Sequence, residues 1–186
     1  MRDAESSVLS FRPNVPQPEA VCAFQKRGLD SLYWQLLYGR LQKVAAVYVP
    51  FWLYRVEYDF QRARRSRLFA LDGVEGVLDL FEFQNAPQNE ELTHIETRNS
   101  MQTRLTPERG LELLREKTLR IVFQQGFFRV RDPRIHVERL PLEFHMPYWL
   151  GFYGRDGSLR CRAMDAIRRR MEGDKATALF EHWLAA

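Results

Sequence analysis

The sequence predicts an α+β protein of two repeated helix-plus-antiparallel-sheet (αβββ-like) units with a C-terminal helix, on three observations. The first is a repeated phrase. Val49-Pro50-Phe51-Trp52-Leu53-Tyr54 returns almost a hundred residues later as Met146-Pro147-Tyr148-Trp149-Leu150-Gly151, using two of the four tryptophans. The second is that each phrase lies in a stretch of alternating side-chain character, the period of a strand with two different faces. The third is a stretch of helical periodicity upstream of each phrase.

Taken in chain order, residues 1–17 contain Pro13 and Pro16 and predict an irregular N-terminal arm. Residues 18–83 form the first predicted unit. A helix starts at Pro18 or Glu19 and pauses at Gly28, and a second runs from an Asp30 cap to about Ala45, with Leu32, Leu36 and Leu37 on one side and Tyr33, Trp34 and Tyr38 widening the apolar face. Gly39 weakens that helix in its middle. From Tyr48 the period changes to two, with Trp52, Tyr54, Val56 and Tyr58 opposite Leu53, Arg55, Glu57 and Asp59. A basic turn follows, then a strand from Leu68 to Leu71 that continues past Asp72-Gly73 into Val74, Val77 and Leu78, so the pair reads as an antiparallel hairpin.

Residues 84–105 are polar and aperiodic, and predict a linker. Residues 106–186 form the second unit with its C-terminal helix. Thr106 caps a helix, Pro107 takes its first position and Glu108 favours its positive end, while Leu111, Leu114, Thr118, Ile121 and Val122 carry the stripe toward Gly126. Ile135 and Val137 alternate with His136 and Glu138, and Pro141 marks an irregularity before Phe144 and Met146. Residues 146–153 and 159–164 then make a hairpin around Gly154-Arg155-Asp156-Gly157, and the last helix spans residues 174–184.

Aligned on the tryptophans, the two units also share a second anchor: Asp72-Gly73-Val74 stands opposite Asp165-Ala166-Ile167. Twenty steps separate Trp52 from Asp72 and sixteen separate Trp149 from Asp165, a difference confined to the hairpin turn, where length change is tolerated best. Pro50, Trp52 and Asp72, with Pro147, Trp149 and Asp165, are therefore read as structural anchors of the repeat. An Asx hydrogen bond in a tight turn accounts for both aspartates without catalysis.

The aromatic strand, the turn and the closing Asp-(Gly/Ala)-(Val/Ile) together resemble PepSY-like and cystatin-like α+β repeats over residues 44–82 and 133–173. The second copy departs from that pattern in carrying Arg169 where the first has Gly76, and neither copy has the pattern's threonine. The resemblance implies a binding or regulatory module more often than an enzyme, and it transfers no catalytic residue.

At 186 residues with 45% hydrophobic side chains the chain can bury a sizeable core. The longest apolar patch, residues 44–53, is too short to span a bilayer and contains Pro50, and the N-terminal stretch lacks an apolar signal region, so the expectation is a cytoplasmic, non-transmembrane protein. Cys22 and Cys161 have no metal-ligand spacing and are read as small buried hydrophobes. No nucleophile elbow, phosphate loop, dinucleotide fingerprint or zinc cluster is present, and no cofactor is called. His145 with Glu143, and His136 with Glu138, share strand faces without converging, so no metal site is called either.

The net charge of +4 comes from arginine. Arg62, Arg64, Arg65 and Arg67 crowd one hairpin turn, and Arg160, Arg162, Arg168, Arg169 and Arg170 crowd the last strand and its exit. Their forks suit carboxylate and phosphate. The reading favoured is a non-enzymatic binding, adaptor or scaffold protein, an accessory subunit that docks on an acidic surface of a protein partner or a larger, membrane-associated complex. The alternatives are a nucleic-acid-binding protein using the same arginines, and a small-ligand carrier or enzyme with a pocket between the two sheets. Trp52 and Trp149 are assigned to the core in preference to a ligand platform.

Overall fold

A computed structural model describes residues 5–25, 29–60, 63–124, 135–155 and 158–185. In chain order the elements are β1 (Ser6–Phe11), α1 (Gln17–Gln25), α2 (Leu29–Tyr38), β2 (Leu41–Phe60), β3 (Ala63–Asp72), β4 (Phe81–Phe83), β5 (Leu92–Thr97), α3 (Pro107–Gln124), β6 (Ile135–Arg155), β7 (Ser158–Asp165), β8 (Arg170–Met171) and α4 (Asp174–Ala185). Helices and a large mixed sheet coexist, so the α+β class holds. The sheet runs β4-β3-β2-β6-β1-β5, with β7 on β6 and β8 on β7.

Two strands of 20 and 21 residues form the spine. β2 and β6 pair antiparallel from Leu41↔Tyr153 to Tyr58↔Ile135, and the proline phrases meet at the centre, where Tyr48 faces Pro147 and Pro50 faces His145. Proline cannot donate to a ladder, yet both prolines lie at the centre of this pair. The register jumps from Trp52↔Glu143 to Tyr54↔Arg139, so residues 140–142 bulge opposite Leu53, at the irregularity expected from Pro141.

Only the C-terminal half of each long strand carries its hairpin partner, β3 on residues 51–60 and β7 on residues 148–155. The sheet then curls. β1 runs parallel to β6 at Ser10↔His145 and antiparallel to β5, and Ser100, just past β5, bridges in parallel to Tyr48 of β2.

Several sequence expectations change here. Residues 1–17, expected to be an arm, contribute β1, and residues 84–105, expected to be a linker, contribute β5. Both strands are bound mainly through backbone pairing, and β5 buries fully only Leu92, too little apolar surface to leave a period in the sequence. α2 stops at Tyr38 rather than near Ala45, because Gly39 adopts φ 90° and donates its N–H to the Gln35 carbonyl at 3.0 Å, a left-handed helix stop. β3 ends at Asp72 rather than continuing to Leu78. The helix end expected at Gly126 and the Asp156-Gly157 turn lie outside the described residues.

The helices cover the sheet in a crossed manner. Trp52, Tyr54, Val56, Phe69 and Leu71 of the β2–β3 hairpin pack with Leu111, Leu114 and Ile121 of α3. Trp149 and Met164 of the β6–β7 hairpin pack with Ala20 and Phe24 of α1. The opposite face, with Phe51, Leu53, Phe144, Tyr148 and Leu150, is closed by Leu179 and Phe180 of α4. Residues 18–83 and 106–186 therefore do not pack as separate bodies. A helix arriving at the start of one long strand lies over the end of the other, because the two strands are antiparallel.

On α1 the buried positions are Ala20 and Phe24, which turns Cys22 outward; the expectation of two buried thiols is corrected to one. Burial pushes the Cys161 thiol up to about 12. Native protein at pH 8 is expected to titrate one fast thiol with a disulfide reagent and two after denaturation. Two fast thiols in the native state would contradict the burial of Cys161. No helix among the described residues is long and apolar enough to cross a membrane.

Candidate docking surface

All six residues expected to anchor the repeat enter hydrogen bonds within the fold. The Pro50 carbonyl accepts the Gly73 N–H at 2.7 Å and the Pro147 carbonyl accepts the Ala166 N–H at 3.1 Å. Both tryptophans are buried with bonded indoles. Trp52 Nε1 donates to Glu143 Oε2 at 2.9 Å under the Arg139 guanidinium, and Trp149 Nε1 donates to the Val15 carbonyl at 2.8 Å. Neither ring presents a face to a ligand. The buried Asp72 carboxylate accepts the N–H groups of Val74, Glu75, Gly76 and Leu78, and Asp165 accepts those of Ile167 and Arg168. Three residues after Asp165, Arg168 also donates its Nε to that carboxylate. Gly76 at φ 69° and Arg169 at φ 59° close the two turns in the same left-handed conformation.

The carboxylates next to His145 and His136 are held by other groups. Burial lowers the His145 pKa, opposed by backbone hydrogen bonds at Leu9 and Met101 and by the Glu143 charge. Glu143 is already engaged by Trp52 and, through Oε1 at 3.0 Å, by the Thr103 hydroxyl, while Glu138 pairs with Arg55 at 3.1 Å. Among the described residues no group of three or more His, Cys, Asp and Glu side chains could hold a metal ion.

The arginines singled out in the sequence separate onto different surfaces. Arg62 lies outside the described residues. Arg64 pairs with Glu57 and Arg67 with Glu82, leaving Arg65 exposed on β3. Arg169 pairs with Glu19 and donates to the Asn14 carbonyl, tying the last turn to α1. Arg168, bound to Asp165 and stacked 3.8 Å over Phe81, and Arg170, paired with Asp79, border a cleft beside α3. Most of this charge is matched by a nearby carboxylate, so the two clusters do not form one continuous basic edge.

Arg160 and Arg162 meet something the sequence reading did not single out. On α2, Trp34 and Tyr38, one turn apart, face inward: their rings lie 4.7 Å apart, and Trp34 lies 5.7 Å from Tyr153, whose hydroxyl donates to the Phe24 carbonyl. Arg162 sits 5.3 Å over Trp34, and Arg160, paired with Glu181, sits 5.9 Å over Tyr38.

No protein-family model, curated protein or solved structure matches the chain.

With its aromatic side turned in, α2 points Tyr33, Leu36 and Leu37 to solvent at 61%, 76% and 47% exposure, and Leu159, next to Arg160, is 62% exposed. Leu159 also edges an apolar groove of about 330 Å³ with Val47, Phe152 and Trp183 on its walls. The signal for this surface was in the sequence: of residues 33–38 all but Gln35 are apolar, more than one buried face takes up, and the fold turns Trp34 and Tyr38 inward.

Proposed function

We propose that this chain is a non-enzymatic docking or adaptor protein, an accessory subunit that binds an acidic protein partner through the outer face of α2 and the arginines beside it. The observation that carries the reading is the row of Tyr33, Leu36 and Leu37 held in water by a helix whose inner aromatics are pinned under Arg160 and Arg162. An exposed apolar row of this kind, rimmed by arginine and aromatic side chains, has the composition of an interface centre. Arg40, two residues past the end of α2, and Lys43 are both exposed, and they give the rim a positive sign that complements acidic groups on the partner. A cytoplasmic setting belongs to the same reading.

We also infer that the two halves are degenerate copies of one αβ unit. The matched carbonyl acceptors at Pro50 and Pro147, the matched aspartate turns and the matched left-handed residues Gly76 and Arg169 support it.

The docking reading is tested with the full chain and its Leu36→Glu variant, since Leu36 is 76% exposed. The variant is expected to keep its melting temperature and to recover a stoichiometric acidic protein from the host at least about tenfold less well than wild type, with recovery falling as salt rises. Equal recovery by both chains overturns the reading. Recovery abolished by nuclease overturns it in favour of nucleic acid, and a wild-type dimer dissociated by Leu36→Glu overturns it in favour of self-association.

A further inference from the structure

A second surface stands apart from α2. Where α3 passes the turn that follows Asp72 and the segment leading into α4, a cleft of about 670 Å³ opens, within the size range of small-ligand sites. Six cations line it, Arg109, Lys117, Arg120, Arg168, Arg170 and Lys175, against three carboxylates, Glu75, Asp79 and Glu116. Three of the six are committed: Arg109 to Glu112, Arg168 to Asp165 and Arg170 to Asp79.

The remaining three, Lys117, Arg120 and Lys175, have no ion pair among the described residues. Lys117 donates one N–H to the Leu78 carbonyl at 2.6 Å, which leaves two ammonium donors. Its pKa is lowered first by burial and further by the charges of Lys175 and Arg120, against an upward pull from Asp72 and Asp79. α3 and α4 thus bring three cations without an ion pair to one cleft, where an anion would meet donors from both helices.

Val77, Leu80, Leu113 and Ile121 supply apolar wall beside these cations. A molecule matched to this lining has two parts. Its head is a compact anion of charge near −2 whose several oxygens accept from donors arriving from different elements, which describes a phosphate group better than a flat carboxylate. Its body is apolar.

We propose that this cleft binds a small organic phosphate, a phosphomonoester whose head sits among Lys117, Arg120 and Lys175 and whose apolar body lies along Leu80, Leu113 and Ile121. No lining residue belongs to α2 or is Arg160 or Arg162, so the site stands or falls independently of the docking reading.

The test uses the full chain and phenyl phosphate, followed by calorimetry. Phenyl phosphate is expected to bind at least about tenfold more tightly than inorganic phosphate or benzoate. Arg120→Glu and Lys175→Glu, both at exposed positions, are each expected to weaken that binding at least about tenfold. Arg12→Glu, exposed just after β1 and outside the cleft, is expected to leave it within about twofold. Wild-type affinity in both cleft reversals overturns the site, and so does an equal loss in Arg12→Glu, which would mark a general charge effect. Benzoate binding as well as phenyl phosphate overturns the phosphate head, and inorganic phosphate binding as well overturns the apolar body. Binding to vesicles containing phosphatidic acid with none to phenyl phosphate overturns the small-molecule assignment.

Discussion

Asp72→Ala is expected to cost about 4–6 kcal/mol of folding stability, enough to leave a domain of ordinary stability largely unfolded at 37 °C. The carboxylate is fully buried and serves as the hub of the turn after β3. Oδ1 accepts the N–H groups of Val74 at 3.3 Å, Glu75 at 3.0 Å and Gly76 at 2.8 Å, and Oδ2 accepts that of Leu78 at 2.8 Å. Alanine removes every one of these acceptors at once and supplies none. Each buried N–H left unpaired costs about 1–3 kcal/mol, reduced by whatever the loop regains through relaxation or water. Asp72→Asn separates the contributions: its remaining oxygen can serve three donors, but its NH₂ confronts the Leu78 N–H, so an intermediate loss of about 2–3 kcal/mol is expected. Asp165→Ala removes two backbone acceptances and one of the partners of the half-buried Arg168, and its loss should fall below that of Asp72→Ala. Urea unfolding of the three variants checks the order. A loss under about 1 kcal/mol for Asp72→Ala would mean the turn is held by something other than its aspartate.

These aspartates were legible in the sequence because their chemistry is local: an Asp followed by small and β-branched residues, twice, at the end of the strand that follows an aromatic one. The start of α3 was legible for the same reason, and Thr106 Oγ1 does accept the Arg109 N–H, at 3.3 Å. What escaped depends on partners distant in sequence. β1 and β5 carry little apolar pattern and exist because each offers the other a free backbone edge. The crossed covering of the hairpins follows from the antiparallel pairing of β2 with β6, which no single segment encodes. For α2, apolarity was visible in Tyr33, Trp34, Leu36, Leu37 and Tyr38, but which of them would stay in water was decided by Tyr153 and the arginines of β7. The cleft unites residues 75–80, 109–121 and 168–175, and only Arg168 and Arg170 among its cations belonged to a cluster that composition could mark.

The contact between each helix and its hairpin is built with the large and small partners reversed, and Gly151→Ala is the change expected to expose this. Beneath α3 the strand supplies the bulk: Tyr54 projects from β2, and a Cβ on Gly110 of α3 would run into its hydroxyl. Beneath α1 the helix supplies the bulk. Phe24 is fully buried, and a Cβ on Gly151 of β6 would lie 2.8 and 2.9 Å from its ring carbons and 3.1 Å from Leu41 Cδ1. Tyr54 and Gly151 hold the same place in their phrases, two residues after Trp52 and Trp149, so one methyl group at Gly151 asks the second hairpin to accept bulk from both sides. The ring is enclosed and its backbone carbonyl holds the Tyr153 hydroxyl at 3.0 Å, which restricts how far α1 can retreat. Overpacking of this kind costs about 2–3 kcal/mol, more than the few tenths to 1 kcal/mol alanine gains over glycine in chain entropy. Phe24→Leu alone loses about 1–2 kcal/mol as a cavity, but in the double variant that cavity receives the methyl group that Gly151→Ala introduces. The two losses should therefore fall short of additive by about 1 kcal/mol or more in a double-mutant cycle read by urea unfolding. Additivity within about 0.5 kcal/mol would show that the clash is relieved by strand or helix movement, and that the reversed packing does not fix how α1 seats on β6.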